Sequence, residues 1–323
     1  MKKMLDKYLM YTRKILSNNS NILKHIALMW GGMVDFMIFG STVTDYFELA
    51  FYKKKHYEKK GYMTWRDSRK FSYIVDTQEK MSFYIDKKNM YTKLSNWLFR
   101  EQLFCLDCTY EDFMTFIDNT NGEFIYKPAY ENSGRGIELV KCKSQDTRKL
   151  YNSLVNRDGI LEGIIKQHET LDKICSCSVN TVRIFTLKIN SSINFIGACL
   201  RIGNGNSIVD NYSNGGYVAA INIDSGKVID GIENMYGERI YEHPYSGFSM
   251  NGFVVPKWEE VLLFVNKMAI NFDLNYVAWD IAIRENDCVL VEANPRGMVN
   301  TIQVAGNGGK KEKYKDLLKL YNK

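Results

Sequence analysis

A chain of 323 residues has room for about two domains at roughly 150 residues each, and can bury a core without disulfide or metal staples. It is 45% hydrophobic and 25% charged, and its 4 Pro and 23 scattered Gly exclude collagen-like and long low-complexity architectures. The 43 Lys and Arg against 37 Asp and Glu leave +6, which admits nucleotides, sugar phosphates or a membrane surface. It lacks the dense basic stripe of a nucleic-acid binder, so no nucleic-acid partner is expected.

The odd count of 7 Cys argues against a secreted disulfide framework and for a reducing cytoplasm. Cys105 and Cys108 with Cys175 and Cys177 have the pairing of a zinc site. Cys105, Cys199 and Cys288 nevertheless sit in apolar runs and read as small buried hydrophobes. The N-terminus is basic without a clean signal-peptide pattern. The most membrane-like stretch, Ile26 to Phe39, carries Asp35 and is shorter than the roughly 18 apolar residues of a span. Lys2, Lys3, Lys7, Arg13 and Lys14 among Met, Leu and Tyr leave a peripheral membrane contact open, beside the plainer account of an amphipathic helix packed on its own domain.

In chain order, residues 1 to about 80 read as helical. Met4, Tyr8, Tyr11 and Ile15 recur at helical spacing, and Asn18 to Asn21 make a polar break. Ile22 to Phe39 is a second helix whose Gly31-Gly32 implies close packing or a kink. Phe47 to Lys60 is a third, ending at Gly61. Lys88 to Phe104 and Glu111 to Asn119 have helical periodicity. Short apolar runs follow: Phe124 to Lys127, Ile137 to Cys142, Ile160 to Ile165, Thr181 to Ile189, Ile193 to Ile202, Tyr217 to Ile223, Val277 to Ile283 and Val289 to Ala293. Tight turns such as Asn190-Ser191-Ser192 and Glu285-Asn286-Asp287 make these antiparallel hairpins. Helices over Asp146 to Asn156, Trp258 to Phe272 and Lys311 to Leu320 cover them, giving an α+β fold with a largely antiparallel sheet.

The segment Val277 to Asn294 is the most informative. As a hairpin centred on Asn286 it places Asp280 opposite Glu292 and Ala282 opposite Leu290, with partner Cβ atoms about 5 Å apart. Asn294, two residues on, shares that face. Facing carboxylates repel, and a hard cation such as Mg²⁺ removes the conflict. A solvated edge is the plain alternative, and a one-residue slip breaks the pairing.

In Phe124 to Ile137 a strand ending in Lys127-Pro128 enters a loop with Ser133, Gly134, Arg135 and Gly136. Gly lets backbone amides approach phosphate, and Lys127 supplies a point charge. A third segment runs from Ile160 through Glu162, Ile164, Ile165, Gln167 and His168. It can offer main-chain groups to an adenine and a carboxylate to a ribose, or be a buried strand with a solvated end. No Walker pattern or G-x-G-x-x-G is present.

Together these segments resemble the ATP-grasp superfamily, and more closely the sugar-transfer-associated ATP-grasp proteins of bacterial surface-polysaccharide genes. The likeness also rests on Asp86-Lys87-Lys88, Val179 to Arg183, and Val209-Asp210-Asn211 before Gly215-Gly216, and extends less specifically to Asp45-Tyr46-Phe47. It implies an ATP-grasp fold: two α+β subdomains gripping ATP, here 83–168 as the lid and 169–323 with the metal site, after a helical region over 1–82. By this resemblance Lys127 and Lys88, or its neighbour Lys87, contact phosphates, the 134–136 loop closes over them, and Glu162 with the following strand holds adenine and ribose. Asp280, Glu292 and Asn294 ligate Mg²⁺, or Mn²⁺ in its place. Arg183 and Arg201 stabilise transferred phosphate or form structural salt bridges, and Asp210 and Asn211 border the acceptor. ATP-grasp enzymes usually begin with an α/β unit, so the helical start here leaves the substrate open.

The expected activity is a Mg²⁺- and ATP-dependent carboxylate–amine ligase working through an acyl phosphate, in the cytoplasm of a bacterium. Its product would be an amide on a sugar or peptide component of surface polysaccharide. A kinase acting on a sugar hydroxyl is one rival. Another is a non-catalytic nucleotide-binding scaffold that docks on a glycosyltransferase or the inner membrane face through its N-terminal helices.

Overall fold

The structure is a computed structural model and describes residues 2–16, 22–130, 135–142 and 147–322. Eleven strands are described: β1 Gln102–Phe104, β2 Glu123–Pro128, β3 Glu138–Lys141, β4 Gly159–Gly163, β5 Thr181–Ile189, β6 Ser192–Ile202, β7 Tyr217–Ile221, β8 Ile232–Asn234, β9 Arg239–Ile240, β10 Tyr276–Ile283 and β11 Cys288–Asn294. They form two antiparallel sheets, β1-β4-β2-β3 and β11-β10-β5-β6-β7-β8-β9. This is the expected α+β architecture with a helical N-terminal region.

The small sheet has its own core, in which Phe113, Phe116 and Ile117 of helix Tyr110–Asn119 meet Phe124, Tyr126 and Leu161. The large sheet is covered on both faces, because its central strands are apolar on alternate and intervening positions alike. On one face Val182, Ile184, Trp279 and Ile281 pack on Val261, Val265 and Met268 of helix Trp258–Asn271. On the other, Phe185, Leu187, Tyr276 and Ala278 pack on Tyr11, Phe47, Phe51 and Phe71. The N-terminal helices therefore cover a sheet face and share its core.

One sequence alternative is decided and two expectations change. Helix Ile22–Phe39 is unbroken, and its paired glycines serve close packing: a Cβ on Gly31 would stand 2.5 Å from the Tyr46 Oη. The helix expected over Phe47 to Lys60 is instead a helix Val43–Glu48, a 3-10 turn Phe51–Lys53 and a single turn His56–Lys59. Ala50, at φ 49°, interrupts it. The helix expected over Lys88 to Phe104 spans only Lys87–Lys93, and Phe99, at φ 44°, turns the chain into β1. Helices Trp65–Val75 and Gln78–Ile85 and strands β8 and β9 carry no pattern that singled them out.

Candidate active site

The β10–β11 hairpin places Asp280 opposite Glu292, as its sequence predicts, but by a different route. Its turn is two residues, Glu285-Asn286, closed by Arg284 N donating to Asp287 O at 2.8 Å. Ala282 therefore faces Val289, not Leu290, and a bulge at Val291 restores Asp280 to Glu292. The bulge leaves the Val291 carbonyl outside the ladder, where it accepts the Tyr91 hydroxyl at 3.2 Å and Arg100 Nη2 at 3.4 Å.

Arg100 joins the two sheets. Besides Val291 it reaches Leu290 O, and its Nη2 lies 2.8 Å from Glu162 Oε2 on β4. Lys127 on β2 approaches the same oxygen at 2.9 Å. Burial alone would raise the Glu162 carboxyl, but Arg100 and Lys127 outweigh it and hold the pKa at about 2. Its other oxygen, Oε1, is buried without a hydrogen bond among the described residues. A buried acceptor left open next to Lys127 is a polar socket for a ligand donor.

Of the two lysines that the sequence leaves open, Lys87 rather than Lys88 lies against the strand that carries Lys127. Lys88 is exposed and pairs with Asp107, while Lys87 is buried with its Nζ 3.2 Å from Pro128 O, on the strand that carries Lys127. Asp86 caps the helix and Lys87 is its first residue, so successive side chains diverge by about 100° and only Lys87 faces the strand. Of the loop residues, Ser133 and Gly134 lie outside the described residues. Arg135 and Gly136 are exposed, with Gly136 at φ 68° against Pro128.

Gln167 and His168 do other work. The Gln167 amide donates to Cys175 O and Ser178 O and accepts from Asn180 N at 2.8 Å, fixing the loop that leads into β5. His168 N donates to Ile283 O, and its Nδ1 accepts from Thr170 N, starting helix Glu169–Ile174. Ile164 is exposed and Ile165 half-buried beyond β4.

On the large sheet, β5, β6 and β10 bring Arg183, Arg201 and Asp280 to one face. Arg183 grips Asp280 with two bonds of 2.7 and 2.6 Å, and Arg201 Nη1 adds a third at 2.9 Å. Burial would raise Asp280; the two guanidinium groups reverse this and lower its pKa. Arg201 also pairs with Asp210 at 2.8 Å and with Asn211, and Asp210 accepts from Thr181 N at 3.1 Å. Asp210 and Asn211 thus belong to the cluster.

Asn294 donates its Nδ2 to Asp280 Oδ2 at 3.2 Å, which leaves its Oδ1 without a donor among the described residues. Glu292 makes no hydrogen bond or ion pair there and is half-buried. Asp280 Oδ2 is saturated by three donors, whereas Oδ1 has one. The uncommitted oxygens of Glu292 and Asn294 suit a hard divalent cation, whereas the Asp280 charge is met by Arg183 and Arg201, and no three His, Cys, Asp or Glu among the described residues group to hold a metal.

Two residues beyond Asn294, Arg296 borders a cavity of about 160 Å³ that Arg69, Tyr73, Ser72 and Asn300 also line. The Tyr73 ring has the guanidinium groups of Arg69, 5.5 Å away, and Arg296, 5.6 Å away, beside it. Neither arginine has a carboxylate partner among the described residues. Asn300, at the cavity wall, is held by Asp45 and Glu48, each 3.1 Å away. Arg69, Arg100 and Arg296 were not singled out from the sequence, which favoured Lys88 over Lys87. Arg296 had one signal: it stands two residues beyond Asn294 in the segment already singled out.

Two antiparallel sheets, joined by Arg100 and carrying these charged groups where they meet, define an α+β protein of the ATP-grasp fold. The chain belongs to the sugar-transfer associated ATP-grasp family, whose profile matches residues 52–318. It is similar to the ATP-grasp ligase PsnB solved with a phosphomimetic variant of its minimal precursor, Mg and ADP, at 15% identity over 75% of this chain and 60% of that one, TM-score 0.42. It is similar also to N5-carboxyaminoimidazole synthetase from Staphylococcus aureus solved with ADP, at 12% identity over 70% and 52%, TM-score 0.42. The chain thus spans about three fifths of the first ligase and half of the second. No curated protein matches it.

Proposed function

We propose that the protein is an ATP- and Mg²⁺-dependent carboxylate–amine ligase acting on a sugar or peptide component of bacterial surface polysaccharide. The supporting observation is the Arg100 link, which sets the Lys127–Glu162 pair beside Val291, the residue preceding Glu292. A nucleotide-binding half and an acid cluster are thereby held together. Family membership supplies the sugar-transfer setting.

In this reading Lys127 and Lys87 neutralise phosphate oxygens, and the open Glu162 Oε1 accepts a nucleoside donor. Glu292, Asn294 and Asp280 hold the cation, which when bound offsets charge between the phosphates. The acceptor carboxylate attacks the γ-phosphorus; the bond to ADP breaks and an acyl phosphate forms. Arg183 and Arg201 face the charge that develops. An amine then attacks the acyl carbon, the carbon–oxygen bond to phosphate breaks, and the amine loses a proton to give an amide. Arg69 and Arg296 hold a second anionic group of the acceptor, and the chain's part is positioning and charge.

Product analysis tests this. Mass spectrometry of reactions with ATP, Mg²⁺ and panels of uronic acids and amino acids should show ADP, free phosphate and a product heavier by acid plus amine less water. ADP with a phosphorylated acceptor and no free phosphate would establish a kinase instead.

A further inference from the structure

Helix Ile22–Phe39 buries one side and leaves the other bare. Its inner side is pinned by Tyr46 against the paired glycines and by Asp35, buried and 2.7 Å from Lys59 Nζ. Its outer side presents Ile26, Met29, Trp30, Met33, Phe36 and Met37, from 46% exposed at Met29 to 66% at Met37. Their spacing of three, one, three, three and one places all six in one stripe. That stripe holds no acidic residue. Soluble surfaces rarely expose so continuous an apolar band.

Charge points to what covers it. Residues 1–82 hold 15 Lys and Arg against 8 Asp and Glu, a net of +7, whereas residues 83–323 hold 28 against 29, a net of −1. The whole excess of the protein lies in the segment carrying the bare stripe. Arg66 is exposed over the Phe36 ring at 5.6 Å and donates to Phe36 O, so a cation borders one end of the stripe. A second copy of the chain would bring a second +7 segment and be repelled.

We propose that this face docks on an anionic phospholipid surface, with the helix lying in the interface. By length and composition the helix is also able to cross a membrane. Crossing would strip Asp35 from Lys59 and Tyr46 from its glycine seat, so the packed arrangement favours lying flat.

Flotation of the full chain with vesicles of phosphatidylglycerol and phosphatidylcholine, against phosphatidylcholine alone, tests this. At least tenfold stronger binding to the anionic vesicles is expected. It should weaken at high salt, reverse in alkaline carbonate, and fall at least tenfold in Trp30→Glu with Phe36→Glu. Lys55→Glu with Lys60→Glu, which leaves the helix untouched, should weaken binding too and guards against misfolding of the first variant. No preference for anionic vesicles, or retention by the Trp30/Phe36 variant, would overturn the proposal. A wild-type dimer that this variant splits, or capture by polyglutamate without lipid binding, would reassign the face to a second copy or an acidic protein.

Discussion

Two fully buried glutamates sit in the two halves of this molecule and titrate in opposite directions. Glu162, between the sheets, has Arg100 and Lys127 for partners and a pKa of about 2. Glu48, in the helical region, is hydrogen-bonded among the described residues by the Tyr11 hydroxyl at 3.0 Å and the Asn300 amide at 3.1 Å, and burial pushes it up to about 7. Neutral donors satisfy lone pairs without cancelling charge. The sheet half therefore sets cations against the buried carboxylate at the proposed site, while in the helical half Asp35 has Lys59 but Glu48 has neutral donors.

Removing Arg100 should break this contrast with the largest effect. Arg100→Ala leaves Glu162 with one cation and frees the Val291 carbonyl, so stability should fall by about 3–5 kcal/mol in denaturant titration. A loss under 1 kcal/mol would show that Arg100 does not couple the sheets.

The pH dependence sharpens the contrast, because the signs differ. Glu162 lies below its unfolded value near 4.5, so it stabilises above that pH and loses this as pH falls towards 2. Glu48 lies above its unfolded value, so its contribution is present below pH 4.5 and lost as pH rises through 7. Each shift corresponds to about 3 kcal/mol. Glu48→Gln should therefore match the wild type at pH 4 and exceed it by up to about 3 kcal/mol at pH 8, read from denaturant midpoints. Equal pH slopes in the two proteins would contradict this.

Smaller effects come from the packing of the helical half and from the cavity at its border. Gly31→Ala should cost about 1–3 kcal/mol, read as a lowered melting temperature, because its Cβ would meet the Tyr46 Oη at 2.5 Å. Arg296→Lys should raise KM for the acceptor about tenfold with little change in kcat, since a lysine keeps the charge but not the stacked fork over Tyr73. A fall in kcat alone would place Arg296 at the reacting atoms instead.

What was legible in the sequence follows the range of the interactions. Alternation and tight turns gave β5 its full extent, and a run of apolar residues gave helix Ile22–Phe39 both ends. Asp280 opposite Glu292 was legible because both lie in one hairpin. The bulge that preserves this pairing was not, since it answers to Tyr91 and Arg100, about 200 residues away in the chain. Lys87 and Lys88 are identical as residues, and only the helix start at Asp86 separates them. Arg69 and Arg296 meet beside Tyr73 from opposite ends of the chain, which no local pattern records. The breaks at Ala50 and Phe99 use left-handed backbone at residues that ordinarily avoid it, so no glycine marked them.

The central claim is that Lys127, Glu292 and Asn294 form one nucleotide and cation site. Thermal unfolding of the wild type, Lys127→Met and Glu292→Gln with ATP alone, Mg²⁺ alone and both tests it directly. The wild type should gain about 2.7 kcal/mol at a hundredfold excess of nucleotide over Kd. That gain should require Mg²⁺, be lost in Lys127→Met, and lose its Mg²⁺ dependence in Glu292→Gln. An unchanged melting temperature at millimolar Mg²⁺-ATP, or equal gains in all three proteins, would contradict the account.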